Sequence, residues 1–381
     1  MNFDLSEDQQ LLKDTFERFL KQTYGFEQRK AACAKPEGWS HDIWREMAEI
    51  GLTGLLVPEA HGGFGGGKVE AMVALEALGS ALVVEPFLPT AVLCAHLIAK
   101  HGTTAIAEEY LPKIVDGSAL LALAHMERQA PLDPANVATT AKPSGDGYVL
   151  NGEKTLVLHG DSAQALIVSA RVAGNQTDRA GIGLFLVDAK ASGLKRQAYA
   201  TQDNGRAAEI SLYDVPARAL GEAVAKDGLL ALEATIDLGM ACICVEAVGA
   251  MAALHALTVD YLKMRKQFGL PIGAFQVLQH RAADMYIALE LARSMAISAM
   301  MSTDEPDAHK RHQAIAAAKV QIGRAGMMLG EEATQLHGGI GMTMEYASGH
   351  YFKRLTMIDA QWGDADHHLG QLARQGSLLS D

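Results

Sequence analysis

The sequence predicts an α+β chain with an all-α segment over residues 1–120, a β-barrel-like middle domain over 121–222 and a C-terminal helical bundle over 223–381. Three observations carry this reading. Apolar residues recur at three- and four-residue spacing through the first third, the mark of helices with one buried face. Short apolar runs separated by Gly-, Asn- and Asp-rich turns fill the middle. Long Ala-, Met- and Leu-rich stretches with few aromatics follow, as in a four-helix bundle with buried faces. At 381 residues the chain exceeds one compact core, so several domains are expected.

The first helix is expected to start after Ser6, whose hydroxyl can accept an orphan N–H, with Glu7 and Asp8 favourable in its first turn. Leu11, Leu12, Phe16, Phe19 and Leu20 form its apolar stripe. A second amphipathic stretch, 43–50, stops at Gly51, and the glycines of 58–67 cannot stay helical. Helices are expected again over 69–82 and 91–100. Strands are expected at 138–141, 147–150, 155–158, 165–170, 183–187 and 209–212, with hairpin turns at Ser144-Gly145-Asp146-Gly147 and Asn151-Gly152. Bundle helices should cover 228–264, 279–301, 307–336 and 364–379.

Composition excludes several classes. With 49% hydrophobic and 20% charged residues the chain is not a disordered one. The longest uninterrupted apolar runs, 119–124 and 240–245, fall short of the roughly 20 residues of a spanning helix, so no membrane association is expected. The opening ten residues are acidic and polar, unlike a secretory signal or an Arg-rich transit peptide, so a cytoplasmic location is expected. A spread net charge of −12 disfavours a nucleic-acid surface, although a local basic patch could hold a phosphate-bearing ligand. The four cysteines lack metal spacing, and Cys242 and Cys244 should be inert buried thiols on different helix faces. Adjacent His367 and His368 point apart, so no metal is expected. Glu331, Glu332 and Glu345 read as solvated or interface charges, and Glu127 beside Arg128 as a surface pair.

Candidate chemistry lies in a few segments. Arg265 offers a fixed fork of donors suited to phosphate, or is simply a solvated charge at a helix end. Gly338-Gly339 after Gln335 lets a backbone approach a pyrophosphate closely. Phe268 could lie against an adenine or against a neighbouring helix.

Several motifs, in order and over nearly the whole chain, resemble the acyl-CoA dehydrogenase family. They are Leu5-Ser6-Glu7-Asp8-Gln9-Gln10; Gly51-Leu52-Thr53-Gly54 with Pro58-Glu59 and Gly62-Gly63-Phe64-Gly65; Arg265-Lys266-Gln267-Phe268-Gly269 with Phe275-Gln276; Gln335-Leu336-His337-Gly338-Gly339-Ile340-Gly341; and Arg354. The resemblance implies the three-domain acyl-CoA dehydrogenase fold, FAD as cofactor and oxidation of an acyl-CoA thioester. It also implies that Arg265, Gln267, Phe268, Gln335, Gly338 and Gly339 contact the ADP part of an FAD held mainly by a neighbouring subunit.

The chain departs from the family pattern elsewhere. Counting back from Tyr148-Val149-Leu150-Asn151-Gly152 puts Met126 and Leu132 where the family carries the Thr and Ser of its flavin-binding T-E-P-G-A-G-S-D segment. In the next flavin-side segment Leu156 replaces the stacking Trp and Leu158 the hydrogen-bonding Thr. A flavin ring left without these partners would lose about 1–3 kcal/mol per unpaired buried group, unless backbone groups compensate. The family's catalytic Glu position is Gly363, and the alternative position on the first bundle helix is Gly239. Asp364, one residue away, could serve as base only if its loop shifted; its other reading is the cap of the last helix.

These departures resemble the small subunits of two-component acyl-CoA dehydrogenases, such as the pimeloyl-CoA dehydrogenase small subunit. The implied assembly is a dimer of dimers with a large acyl-CoA dehydrogenase subunit, a bulky or dicarboxylic acyl-CoA substrate, and an electron-accepting flavoprotein as a further possible partner. The competing readings are a stand-alone homo-oligomeric dehydrogenase, a related flavin oxidase or monooxygenase, and a flavin-free scaffold of the same fold.

Overall fold

The computed structural model describes residues 5–374. Helices come first: α1 (Glu7–Thr23), α2 (Phe26–Cys33), α3 (His41–Glu49), α4 (Lys68–Ala81), α5 (Ala95–His101) and α6 (Thr104–Val115). Ser6 caps α1 in a reciprocal box: its hydroxyl accepts from Gln9 N–H, and the Gln9 side chain accepts from Ser6 N–H. Phe16 and Leu20 of the expected stripe are buried, whereas Leu11 is 65% exposed. The stretch expected as one helix over 91–100 is α5 preceded by a π-helix at Phe87–Cys94. Pro89 cannot donate an N–H to a regular ladder, and Thr90 Oγ1 instead donates to the Leu121 carbonyl and accepts from Leu121 N–H.

Strands follow as β1 (Leu121–Ala124), β2 (Thr140–Ser144), β3 (Gly147–Leu158), β4 (Ala165–Arg171), β5 (Ile182–Asp188), β6 (Leu194–Ala200) and β7 (Arg206–Ala219). The sheet closes on itself in the order β4, β2, β3, β7, β5 and back to β4, with β1 added beside β4 and β6 beside β7. Ring closure removes free edges and makes a barrel around Leu150, Leu166, Val168, Phe185 and Ile210. The Ser144–Gly147 hairpin forms as expected, with Gly145 at φ +56°. Asn151-Gly152 makes no hairpin. It is a bulge inside the single strand β3, because β7 keeps pairing on both sides of it. Gly152 has φ +151°, and a Cβ there would lie 2.5 Å from Thr139 Oγ1.

The remainder is α7 (Leu229–Met264), the short pair β8 (Lys266–Gln267) and β9 (Leu270–Pro271), then α8 (Gln276–Ser302), α9 (Ala308–His337), α10 (Ala347–Ala360) and α11 (Ala365–Arg374). Helix α10 has no counterpart in the sequence expectations, and the expected stretch beyond 374 lies outside the described residues. The run-length argument also undervalued α7. Taken as a helix it is apolar and long enough to cross a membrane, although 72% of its most apolar window is buried inside the protein.

Compactness groups the chain differently from its texture. One unit joins the segment up to Lys30, Lys68–Val83 and everything from Met240; the other joins Ala31–Gly67 and Val84–Gly239. In the first, α9 packs against α8, α10 and α11, and α1 packs against α4. Gly79 and Gly249 bring α4 and α7 to backbone contact, since a Cβ on either would overlap a carbonyl of the other helix. Cys242 and Cys244 are buried and free, and burial pushes both thiols up, Cys244 to about 12. The second unit is the barrel with its attached helices.

Candidate active site

In the first unit, the residues expected to face an ADP group lie on two exposed turns. Strands β8 and β9 form a two-residue hairpin whose tip is Phe268 at φ +53° and Gly269 at φ +80°. Both tip residues at positive φ make the hairpin turn that matches strand twist, usually built from Asn and Gly. A phenylalanine in that conformation costs about 1–2 kcal/mol; this one is 91% exposed and makes an edge contact with Phe275 at 6.3 Å between ring centres. A strained, exposed aromatic is what a contact surface carries rather than what a stable isolated chain needs. Arg265 precedes the hairpin. Its backbone is held by Tyr261 and Ile272, while its guanidinium is exposed and has no described side-chain partner. Gln267 is exposed on the same hairpin.

The second turn closes α9. Gln335 is exposed in its last turn, Gly338 leaves the helix at φ +62°, and nothing lies within 4 Å of where a Cβ on Gly338 or Gly339 would sit. Bare, open backbone beside an amide side chain suits close approach of a phosphate oxygen.

The two positions at which the resemblance leads one to expect a base, Gly239 and Gly363, hold no acid. Gly239 is buried in α7, beside buried Met240. Gly363 sits in the turn between α10 and α11 at φ +104°, after Trp362 at φ +58°. A Cβ on Gly363 would meet His367 Cδ2 at 2.6 Å and His368 Nε2 at 3.1 Å. This turn is anchored from beneath by Lys319, fully buried, which donates to the carbonyls of Ile358, Asp359 and Gln361. Burial pushes its ammonium down. The Asp364 carboxylate is engaged as the cap of α11, accepting from His367 N–H at 2.8 Å, while Asp366 is exposed in the first turn. His368 Nε2 is buried without a partner, and burial and the neighbouring Lys319, His367 and His312 push this imidazole down to about 4.

Two polar features escaped sequence reading. Glu246 on α7 and Arg354 on α10 form a two-pronged pair at 2.7 and 2.9 Å, so Arg354 is committed to a carboxylate. Glu332 is likewise paired, with Arg281, rather than simply solvated. The signal for Lys319 was present: a lone charge amid Ala316, Ala318 and Ile322, all buried, must find oxygen partners.

In the barrel unit, Glu127 corrects the expected surface pair. It is 4% exposed and bonds Lys154 at 2.6 Å, while Arg128 pairs with Glu209. Gln129 Nε2 and the backbone N–H groups of Ala138 and Thr139 also donate to Glu127. Burial works to raise the carboxyl, but the ammonium and these donors outweigh it and hold it at about 2. The four residues expected on the flavin side are all apolar. Met126 is half-buried with its carbonyl already taken by Thr155 N–H, Leu132 is 39% exposed, Leu156 holds φ +50°, and Leu158 is half-buried.

Models of the acyl-CoA dehydrogenase N-terminal, middle and C-terminal domains match residues 6–118, 122–215 and 226–376. The probable acyl-CoA dehydrogenase YngJ of Bacillus subtilis is 30% identical over 98% of this chain and 99% of its own length. The chain belongs to the acyl-CoA dehydrogenase family. The acyl-CoA dehydrogenase FadE12 of Mycobacterium tuberculosis is 31% identical over 91% of this chain and 89% of its own. A solved variant of the Tcur3481-Tcur3483 steroid ACAD superposes with a TM-score of 0.87 at 32% identity, covering 98% of this chain and 99% of that one.

The acyl-CoA dehydrogenases are FAD-dependent oxidoreductases, and the two units fit that cofactor unequally. The open glycines, Gln335 and the exposed Arg265 suit its pyrophosphate end. Met126, Leu132, Leu156 and Leu158, the residues expected on its flavin side, carry no side-chain hydrogen-bond donor.

Proposed function

We propose that this chain is the small, partner subunit of a hetero-oligomeric acyl-CoA dehydrogenase that α,β-dehydrogenates a CoA thioester. FAD supplies the hydride acceptor, and the large subunit supplies the carboxylate that removes the α-proton. In this reading Arg265, Gln335, Gly338 and Gly339 bind the ADP end of a flavin held mainly by the large subunit, and Phe268 and Gln267 line its adenosine.

The observation that carries the reading is Gly363. It stands at the family's base position, at φ +104°, with two imidazoles crowding the place of a side chain. The two-component name of the 32% identical steroid ACAD supports a paired assembly and a bulky, steroid-derived acyl group as substrate.

The test is expression alone and together with a large-subunit homologue, followed by FAD stoichiometry and acyl-CoA-dependent reduction of a ferrocenium acceptor. The isolated chain is expected colourless and inactive, and the pair yellow and active. A chain that purifies alone with one FAD and turns over acyl-CoA overturns the proposal.

A further inference from the structure

A cleft in the first unit shares no lining residue with those assigned above to the cofactor. It is partly open to solvent, with a volume of about 620 Å³, and is lined by α1, α4, α7 and α8. That volume falls within the range of small-molecule sites, roughly 300–1,000 Å³.

Pairings along the helices give the cavity two unlike ends. Lys68 donates to the Met301 carbonyl, and Arg293 pairs with Glu76, so α8 runs antiparallel to α4. Near the first contact the lining is Leu5, Val69, Met72, Ile297 and Met301; near the second it includes Glu17, Glu76, Ser80 and Arg293. From Val69 to Ser80 helix α4 advances about 16 Å at 1.5 Å per residue. The floor is narrow-bodied, Ala77, Gly249, Ala252 and Ala296, because the glycine contact of α4 and α7 brings those helices together and leaves the space above them unfilled.

Charge narrows the occupant. The lining carries Lys13 and Arg293 against Glu17 and Glu76, a balanced set. A carboxylate would enter beside two carboxylates already present. Arg293 donates Nη1 to Glu76 and Nε to Glu290, two of its five N–H groups, which leaves donors for an uncharged oxygen. We infer that this cavity is a binding site for an uncharged amphiphile, with an apolar body lying along α4 and a single hydroxyl at the Arg293–Glu76 end. The site is independent of the flavin and of the assembly proposed above.

The experiment uses the full chain, with decan-1-ol as probe and decanoate as charged control, measured by calorimetric titration and by thermal shift at pH 8. Saturable decanol binding is expected, with decanoate at least tenfold weaker. Ile297→Trp fills the cavity from α8 and Met72→Trp fills it from α4. Each should weaken decanol binding at least tenfold while leaving the far-UV spectrum unchanged, and either variant that folds suffices. Absence of saturable decanol binding, equal affinity in a folded filled variant, or decanoate binding as tightly as decanol overturns the inference.

Discussion

Placing a side chain on Gly363 tests the observation on which the functional reading stands. The residue holds φ +104°, which an L-residue adopts at a cost of about 1–3 kcal/mol. A Cβ would also approach His367 Cδ2 at 2.6 Å. The overlap falls on a half-buried, rotatable ring rather than on backbone, so it is taken as less than the ~1–3 kcal/mol of an overpacked core. Gly363→Ala should therefore cost about 2 kcal/mol, and Gly363→Glu at least as much. Urea unfolding followed by far-UV circular dichroism reads this as a lower midpoint with an unchanged slope. Gly339→Ala is the control, because nothing lies within 4 Å of its Cβ position and its φ is not positive; its midpoint should match the parent chain. The isolated Gly363→Glu chain should also show no acyl-CoA turnover, because the carboxylate enters a strained turn occupied by imidazoles. If Gly363→Ala is as stable as Gly339→Ala, or if Gly363→Glu alone yields a dehydrogenase, the account of this turn is wrong.

Other outcomes follow from the same geometry. Lys154→Met leaves Glu127 buried and uncompensated and should cost about 3–5 kcal/mol in the urea midpoint, whereas Glu127→Gln combined with Lys154→Met should recover much of it. Stability should fall in two acid steps, read as urea midpoint against pH. The first runs from about pH 6.5 towards 4, because His159 and His368 are held near 4 by burial and the unfolded chain takes up protons there. The second runs below pH 4.5 towards 2, as Glu127, held at about 2, loses its advantage over the unfolded carboxyl. His368→Gln should flatten part of the first step only. Arg265→Ala should strip FAD from the assembled complex while leaving the isolated chain's unfolding midpoint unchanged; retained flavin would rule out its phosphate role. Phe268→Asn relieves the positive φ and should raise the isolated chain's melting temperature while weakening FAD retention in the complex; an unchanged flavin content would assign Phe268 no part in the site.

Local signals in the chain were legible because their physics is local. Ser6 before α1 and the Gly145-Asp146 turn each satisfy or redirect backbone groups within a few residues, so spacing alone identified them. The ordered glycine, arginine and glutamine motifs pointed to the family, and the glycines at the two expected base positions, Gly239 and Gly363, could be counted directly. What spacing could not supply was pairing across distance. Glu127 looked like half of a surface pair with its neighbour until the barrel placed it against Lys154, 27 residues on. Asn151-Gly152 carried a hairpin sequence, yet β7 continued past it and made it a bulge. Glu246 and Arg354, 108 residues apart, had no visible relation in sequence. The glycine at the expected base position was thus legible in the sequence. Only the tertiary structure decided that its backbone is left-handed and its side-chain space already taken, because both follow from how α10, α11 and Lys319 pack.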